Sequence, residues 1–156
     1  FRYKEDASFD LTPICEACAS MSQDKVGALI LLTQENNLNE IVDTGVVIDA
    51  VISKPLLENI FFKNSPLHDG AMVISNNKIE AARCILPITQ NINLPGSYGL
   101  RHRAGIGVTE NSDCIAIVVS EETGSIRIIK NGKVHDVKVS EMKAKIKELS
   151  NKKVIN

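Results

Sequence analysis

The stretch Ser65-Pro66-Leu67-His68-Asp69-Gly70-Ala71 places an imidazole and a carboxylate side by side in a segment bounded by proline and glycine. Such a pair can hold a divalent metal, or the carboxylate can take a proton while the histidine holds a metal or a phosphate. Gly70 lets a ligand approach the backbone closely. The alternative interpretation is a plain Asp-Gly turn leading into a strand. The segment by itself is compatible with both.

The triplet Arg101-His102-Arg103 is a second candidate site, because three cationic or potentially cationic side chains stand between glycines and apolar residues. At a helix N-terminus, free N–H groups and the helix dipole favour an anion. Arginine also binds phosphate oxygens with two N–H groups at once. The triplet therefore predicts a phosphate site, with a solvated basic turn as the alternative.

The stretch Ser120-Glu121-Glu122-Thr123-Gly124 follows an apolar run and ends in a turn. Two carboxylates at the end of a strand suit a divalent metal or a ribose hydroxyl, and a plain turn is again the alternative. The region 93–99 lacks the glycine spacing of a dinucleotide-binding fingerprint or a Walker phosphate loop. The common nucleotide folds are therefore not supported.

Composition narrows the class of protein. The chain has 156 residues, 24% of them charged, and a net charge of −1. This length fits one globular domain, and so small a net charge gives no global basic field for nucleic acid or an anionic membrane. We therefore expect no nucleic-acid partner, and any anion site must be local.

The four cysteines predict no metal centre or disulfide framework. Cys15 and Cys18 have a spacing that suits zinc, but a structural site needs two further ligands and no second close Cys/His pair exists. We expect ordinary buried or half-buried thiols and a reduced cytosolic compartment. His135, in an expected edge strand, is interpreted as a surface residue.

The elements that must position these groups follow from the hydrophobic pattern. Continuous apolar runs predict strands buried on both faces, and Asn-Asn at 76–77 and Asn-Gly at 131–132 predict hairpins. Strands are expected at 26–32, 46–48, 71–75, 78–85, 114–120, 126–130 and 134–139. Helices are expected at 10–22, 53–62, 98–110 and 140–149, the first capped by Asp10 or Thr12 and the second by Ser53. The result is a single α/β domain around a mixed sheet.

Taken together, these stretches resemble the diadenylate cyclase family, enzymes that join two ATP molecules into cyclic di-AMP, in its membrane-associated branch. The resemblance rests on Asp69-Gly70-Ala71, on Arg101-His102-Arg103, on Ser120 to Gly124 and on Cys84-Ile85-Leu86-Pro87, which occur in the family's order and spacing. It covers roughly residues 10–145, which implies one diadenylate cyclase domain over 1–156. The family fold that it implies is a mixed central β-sheet flanked by helices on both sides.

The resemblance also implies roles for individual residues. Asp69, with Gly70 and Ala71, would form the catalytic segment, in which Asp69 helps to activate a ribose 3′-hydroxyl. Leu86 would lie against adenine, and the other implied substrate contacts are Leu100, Arg101, His102, Arg103, Ser120 and Glu121. The implied ligands of a Mn²⁺ or Mg²⁺ ion are His68, Asp69 and Glu122.

The product is a ring of two identical halves, so two sites must face each other across a two-fold axis. The resemblance therefore implies ATP as substrate, cyclic di-AMP as product and a face-to-face homodimer. One departure is Leu100, where many members carry threonine. It motivates the alternative of a non-catalytic module that binds ATP or cyclic di-AMP. The His68-Asp69 pair and the carboxylates of Glu121 and Glu122 motivate a third hypothesis, a metal phosphohydrolase.

No membrane span is predicted within the chain, since the longest apolar run, 26–32, is far shorter than the roughly 20 residues that a membrane helix needs. The sequence starts with Phe1 rather than methionine, and we expect a processed or excised start. Many members of the resembled family carry a membrane-spanning segment ahead of this domain. The expected location is therefore cytoplasmic, with a tether to the cell membrane through a preceding segment that this sequence does not include.

Overall fold

The computed structural model describes residues 9–91 and 93–150. The strands in these ranges are β1 Ala28–Leu32, β2 Val46–Val51, β3 Ala71–Ser75, β4 Lys78–Cys84, β5 Ile115–Val119, β6 Ile126–Lys130 and β7 Lys133–Val137. The helices are α1 Thr12–Asp24, α2 Asn39–Val42, α3 Lys54–Phe61, α4 Leu100–Asn111 and α5 Met142–Leu149, with a 3₁₀ turn at Val139–Glu141.

The described strands form one mixed sheet in the order β2-β4-β3-β1-β5-β6-β7. β1 and β3 run parallel, because the connection between them passes through α2, β2 and α3 and so returns the chain to the same end of the sheet. The other neighbouring strands are antiparallel. The predicted hairpins at 76–77 and 131–132 are confirmed, and all four turn residues have positive φ.

Alternate residues of the central strands face two separate cores. Ile30 and Ile117 are paired neighbours on β1 and β5 and pack with α1, α3 and α5. Leu31 and Val118 point to the opposite face and pack with α2 and α4. Both faces of the sheet are thus covered by helices, which confirms the predicted α/β fold.

Helix α4 forms despite three glycines in and beside it, because two of them permit close packing. A Cβ on Gly105 would lie 2.9 Å from the Cδ1 atom of Ile129, and a Cβ on Gly107 would lie 2.8 Å from the Pro87 carbonyl oxygen. Replacing either hydrogen by a methyl would push the helix away from the sheet or from the following loop. Gly105 and Gly107 lower the intrinsic helix propensity of α4, but the close packing of the helix requires glycine at both positions.

Two helix caps were predicted, one correctly. The Ser53 hydroxyl accepts a hydrogen bond of 3.3 Å from the Leu56 N–H and caps α3, as expected. The N-cap of α1 is Leu11, so the prediction of Asp10 or Thr12 was wrong. The Asp10 carboxylate, one residue before the N-cap, instead accepts a 2.9 Å hydrogen bond from the Thr12 N–H. This bond satisfies one of the free N–H groups at the start of the helix.

Two elements near residue 45 differ from the prediction. Helix α2 was not predicted, since four residues are too few to show a helical period. Strand β2 continues three residues beyond the predicted end, through a β-bulge between Val47 and Ala50. Asp49, inside that bulge, has φ +50°, and the bulge interrupts the alternation by which a strand is recognised.

The four cysteines are buried free thiols, as the sequence predicted. Burial raises the pKa of Cys15, Cys84 and Cys114 to about 11 and raises that of Cys18 further still. None of the helices in the described ranges is both long and apolar enough to cross a bilayer.

Val118 and Val51 offer a matched test of this core. Val118 on β5 is fully buried, whereas Val51 on the edge strand β2 is 75% exposed. We expect Val118→Ala to lower the free energy of unfolding by roughly 1.5–3 kcal/mol and Val51→Ala to change it by less than about 0.5 kcal/mol. Urea titrations of both variants measure the difference, and equal losses would contradict the assignment of the two positions.

Candidate active site

A cleft of about 540 Å³ opens on the face of the sheet that α4 covers. Its walls come from the segment before β3, the end of β4 and the residues that follow, the connection between α2 and β2, and the first turn of α4. The volume lies within the roughly 300–1,000 Å³ range of small-molecule sites. Of the residues predicted to be functional, six line this cleft: Asp69, Gly70, Ala71, Leu86, Leu100 and Arg101.

The Asp69-Gly70-Ala71 segment is fixed by its pairing with the end of β4. Ala71 opposes Cys84 in the sheet. Gly70 has φ +102°, and a Cβ there would lie 2.8 Å from the Cys84 carbonyl oxygen, so the position requires glycine. This turn leaves the Asp69 side chain exposed at the cleft. Within the described residues its carboxylate makes no hydrogen bond or ion pair.

His68 is half-buried beside this segment and does not line the cleft. Its Nδ1 atom lies 2.8 Å from the Ser65 carbonyl oxygen. Because a carbonyl can only accept, Nδ1 carries the proton of the neutral ring and donates it there. In this tautomer the Nε2 atom has a lone pair that a metal can use.

The first turn of α4 is an uncapped helix N-terminus that borders the cleft. Gly99 at the N-cap offers no side-chain acceptor, and no acidic residue lies in the first turn. The first backbone N–H groups of the helix therefore lack intrahelical partners, and the positive end of the helix dipole is not neutralised there. This arrangement favours an anion in the cleft.

Arg101 adds a full positive charge at the same place. Its side chain is 22% exposed, and its Nη1 atom lies 3.7 Å from the Glu121 carboxylate. Its Nε atom is buried and has no hydrogen-bond partner in the described part of the chain. The guanidinium thus retains donor capacity that an oxyanion can use.

His102 points away from the cleft and is buried in a separate cluster. Its ring stacks on Tyr98 with centroids 5.2 Å apart, and its Nε2 atom accepts a hydrogen bond of 2.9 Å from the Arg127 guanidinium. Arg127 in turn donates to Asp136 at 2.6 Å. Burial, reinforced by the charge of Arg127, lowers the pKa of His102 to about 4. The imidazole is therefore neutral at pH 7.

Arg103 is also directed elsewhere. Its Nε atom donates to the Tyr98 carbonyl at 3.1 Å and its Nη2 atom to the Pro95 carbonyl at 3.4 Å. These bonds hold the loop that precedes α4. The cleft is not lined by Arg103 or His102, and their roles as triphosphate ligands stay predictions.

The Ser120–Gly124 turn stands beside Arg101 rather than in the cleft wall. The Ser120 hydroxyl accepts hydrogen bonds of 3.2 Å from the N–H groups of Glu122 and Thr123, so it shapes the turn. Glu121 reaches the cleft indirectly, through its contact with Arg101. Glu122 is exposed on the same turn.

The three implied metal ligands do not form a ready-made metal centre. Across the described ranges, no three His, Cys, Asp or Glu side chains are placed to hold a metal ion. The donors nevertheless fit a metal that arrives with phosphates, because Mg²⁺ is commonly held by one or two carboxylates together with substrate oxygens. Asp69 has its carboxylate unengaged, and His68 has a free Nε2 lone pair.

Thr44 and Arg83 are cleft residues that the sequence analysis did not single out. The Thr44 hydroxyl donates to the Ile41 carbonyl at 2.7 Å and accepts from the Ile85 N–H at 2.8 Å, so it ties two walls together. Arg83 has φ +57°, a strained conformation for a residue with a side chain. A lone cation just before the Cys-Ile-Leu-Pro stretch was the available signal for Arg83.

The buried imidazole predicts a specific pH dependence of stability. The folded-state pKa of His102 is about 4, against 6.5 for an ordinary histidine, so the unfolded chain binds more protons between these values. The stability from the neutral ring is present above pH 6.5 and is lost as the pH falls from there through 4. The loss is at most about 1.4 kcal/mol per pH unit.

His102→Gln, which keeps an acceptor for Arg127, should lack this contribution. Urea titrations of both proteins from pH 4 to 8 should show the wild type losing stability relative to the variant only below about pH 6.5. NMR titration of the ring C–H signals should show one of the three histidines still neutral near pH 5. Parallel stability curves over this range would contradict the assignment.

Comparison with known proteins places the chain in a family. Residues 15–134 match the model of the DAC family, described as DisA bacterial checkpoint controller nucleotide-binding. The chain is 40% identical over 122 residues to the cyclic di-AMP synthase CdaA of Bacillus subtilis, covering 78% of this chain and 45% of that protein. It is 41% identical over 135 residues to the diadenylate cyclase CdaS of Bacillus thuringiensis, covering 86% and 65%. The chain thus spans about half to two thirds of these relatives.

Solved structures agree with the fold. A double cysteine mutant of DacA from Staphylococcus aureus superposes with a TM-score of 0.86 at 37% identity, covering 88% of this chain and 93% of that one. A hypothetical membrane spanning protein from Bacillus cereus gives a TM-score of 0.79 at 40% identity, covering 81% and 62%. Because the family model matches well over half of its length, the chain belongs to the DAC family, and the resemblance inferred from its motifs is confirmed.

Proposed function

We propose that this chain is the catalytic domain of a diadenylate cyclase, which condenses two ATP molecules into cyclic di-AMP and releases two pyrophosphates across a face-to-face homodimer. One observation carries the proposal: a DAC-family chain sets Asp69 and Arg101 on the lining of one cleft. Relatives named diadenylate cyclase or cyclic di-AMP synthase support it.

The two parts of the cleft suit the two parts of a nucleotide. Leu29, Cys84, Leu86 and Ile88 give an apolar region in which a purine can bury its faces. The backbone of Leu86, which lines the cleft, would read the edge of the base. At the other side, Arg101 and the uncapped start of α4 supply N–H donors and positive charge for the triphosphate.

The chemistry requires an oxygen–phosphorus bond to form between the 3′-hydroxyl of one ATP and the α-phosphorus of the other. The bond from the α-phosphorus to the bridging oxygen breaks, and pyrophosphate leaves with that oxygen. The exposed Asp69 carboxylate accepts the hydroxyl proton and later releases it to water. Arg101 stabilises the charge that develops on the phosphates. The same step at the second site closes the ring.

His68, Asp69 and Glu122 are the residues that would hold a Mn²⁺ or Mg²⁺ ion. When bound, such an ion supplies charge neutralisation at the phosphates and lowers the pKa of an attacking hydroxyl. In this arrangement the hydrogen bond from His68 to Ser65 orients the imidazole so that Nε2 is the ligating atom.

The two-fold arrangement is supported by the rim of the cleft. Ile85 is 70% exposed and Leu100 is 75% exposed, which is unusual for neighbouring large apolar side chains and favours cover by a second copy of the chain. An isolated subunit should then bind ATP without turnover. The proposal also includes a membrane-spanning segment ahead of this domain, in line with the description of the Bacillus cereus neighbour as membrane spanning.

A non-catalytic nucleotide-binding module is the alternative. It is favoured by Leu100, which places an exposed apolar side chain at the first position of α4 and so offers no hydroxyl to a phosphate there. Turnover of ATP by the purified chain decides between the two functions.

The first test of the proposal is Asp69→Asn. Wild-type protein at high concentration, incubated with ATP and Mn²⁺ or Mg²⁺, should yield cyclic di-AMP by mass spectrometry. The variant should lose at least about 100-fold of the rate, because the amide cannot accept the proton, while its Kd for ATP changes little. Asp49→Asn, at an exposed carboxylate that pairs with Lys78 outside the cleft, is the matched control and should retain full activity.

ATP bound without cyclic di-AMP, under either metal, would favour the non-catalytic module. Release of ADP or AMP without a cyclic dinucleotide would favour a phosphohydrolase.

The second test compares two arginines of the same helix turn. Arg101→Ala should raise the Kd for ATP about tenfold or more, because it removes a charged donor from the cleft. Arg103→Ala should raise it less, since that guanidinium is bound to the carbonyls of Pro95 and Tyr98. Calorimetric titration measures both constants. A larger loss in Arg103→Ala would assign the phosphate contact to Arg103 instead.

A further inference from the structure

The guanidinium of Arg101 lies directly on the backbone of Gly27, in the short connection between α1 and β1. A Cβ built on Gly27 would be 2.5 Å from Nη1, 2.6 Å from Cζ and 3.1 Å from Nη2 of Arg101. Two of these distances are far below van der Waals contact. Any side chain at position 27 must therefore displace the guanidinium.

Few directional contacts hold the guanidinium otherwise. The nearest carboxylate oxygen, from Glu121, is 3.7 Å from Nη1 and belongs to a side chain that is 66% exposed. An ion pair of that length and exposure contributes little to orientation. The buried Nε atom has no partner within the described residues. Packing against the bare backbone of Gly27 is thus a close restraint on where this cation lies.

The surface under Arg101 is itself tied in place. The Ser22 hydroxyl, near the end of α1, donates a hydrogen bond of 2.5 Å to the Gly124 carbonyl. The Val26 N–H donates to the Met21 carbonyl at 2.8 Å. These bonds link the segment that carries Gly27, through the end of α1, to the turn that carries Glu121.

We propose that Gly27 is a positioning residue for Arg101 and thereby determines how strongly the cleft binds the phosphates of its nucleotide. This inference rests on the proposed function, because it takes Arg101 to be a phosphate ligand. Gly27 itself does not line the cleft and acts through the arginine. The absence of a side chain at position 27 is needed for ligand affinity rather than for the fold.

The test is Gly27→Ala, with two ligands that differ only in their phosphates. The methyl group shifts the guanidinium and so weakens its charge-assisted hydrogen bonds to the phosphates. The Kd for ATP should rise at least fivefold, whereas the Kd for adenosine, which lacks phosphate, should stay within twofold. Gly96→Ala is the matched control, because a Cβ there meets nothing within 4 Å, and it should leave both constants unchanged.

A double variant separates positioning from general damage. In an Arg101→Ala background, Gly27→Ala has no guanidinium to displace, so it should change the Kd for ATP by less than twofold. If Gly27→Ala alone lowers Tm, the double variant should recover that loss because the colliding atoms are gone.

Three results would overturn the inference: ATP affinity of Gly27→Ala equal to that of the wild type, a parallel loss of ATP and adenosine binding, or additive losses in the double variant. A wild-type chain that binds no ATP would instead remove the proposed function. The two failures are therefore distinguishable by the wild-type titration.

Discussion

Close approach of backbone segments is the constraint on which the cleft depends. The Asp69-bearing turn meets the end of β4 at Gly70, and the start of β2 meets Cys84 at Gly45, where a Cβ would lie 2.5 Å from the Ala82 carbonyl oxygen and from the cysteine sulfur. Helix α4 meets the loop after β4 at Gly107. With side chains at these positions the walls would separate, and Asp69 and Arg101 would no longer share a ligand-sized space.

The charge in the cleft comes from polar groups that have no partner within the described part of the fold. Among the described residues, the start of α4 has no capping side chain, the buried Nε donor of Arg101 has no partner, and the Asp69 carboxylate makes no hydrogen bond or ion pair. Elsewhere in the fold, an arginine makes hydrogen bonds with other side chains: Arg127 bonds to His102 and Asp136. Buried polar groups without a hydrogen-bond partner lower the stability of the fold. Several such groups around one cleft are typical of a binding site.

The sequence predicts this fold well because its signals are local. The runs 71–75 and 114–120 and the turn pairs at 76–77 and 131–132 each identify a strand or hairpin without help from the rest of the chain. The bulge at Asp49 and the four-residue α2 escaped prediction because their shapes depend on tertiary pairing.

The segment 69–71 and Arg101 could be identified as cleft residues from the sequence, because the residues that form these motifs also line the cleft. His102 could not be placed, since consecutive helix residues point about 100° apart and an adjacent position says nothing about which one faces the ligand. Thr44 and Arg83 line the cleft through contacts between segments some 40 residues apart. Such contacts leave no pattern in a single sequence.

The thiol of Cys84 has a chemical consequence for the cleft that it lines. Burial raises its pKa to about 11, so at pH 7 only about one molecule in ten thousand carries the thiolate, the form that peroxides and electrophiles attack. The sulfur atom in the wall of this cleft is therefore a poor target for oxidation at neutral pH.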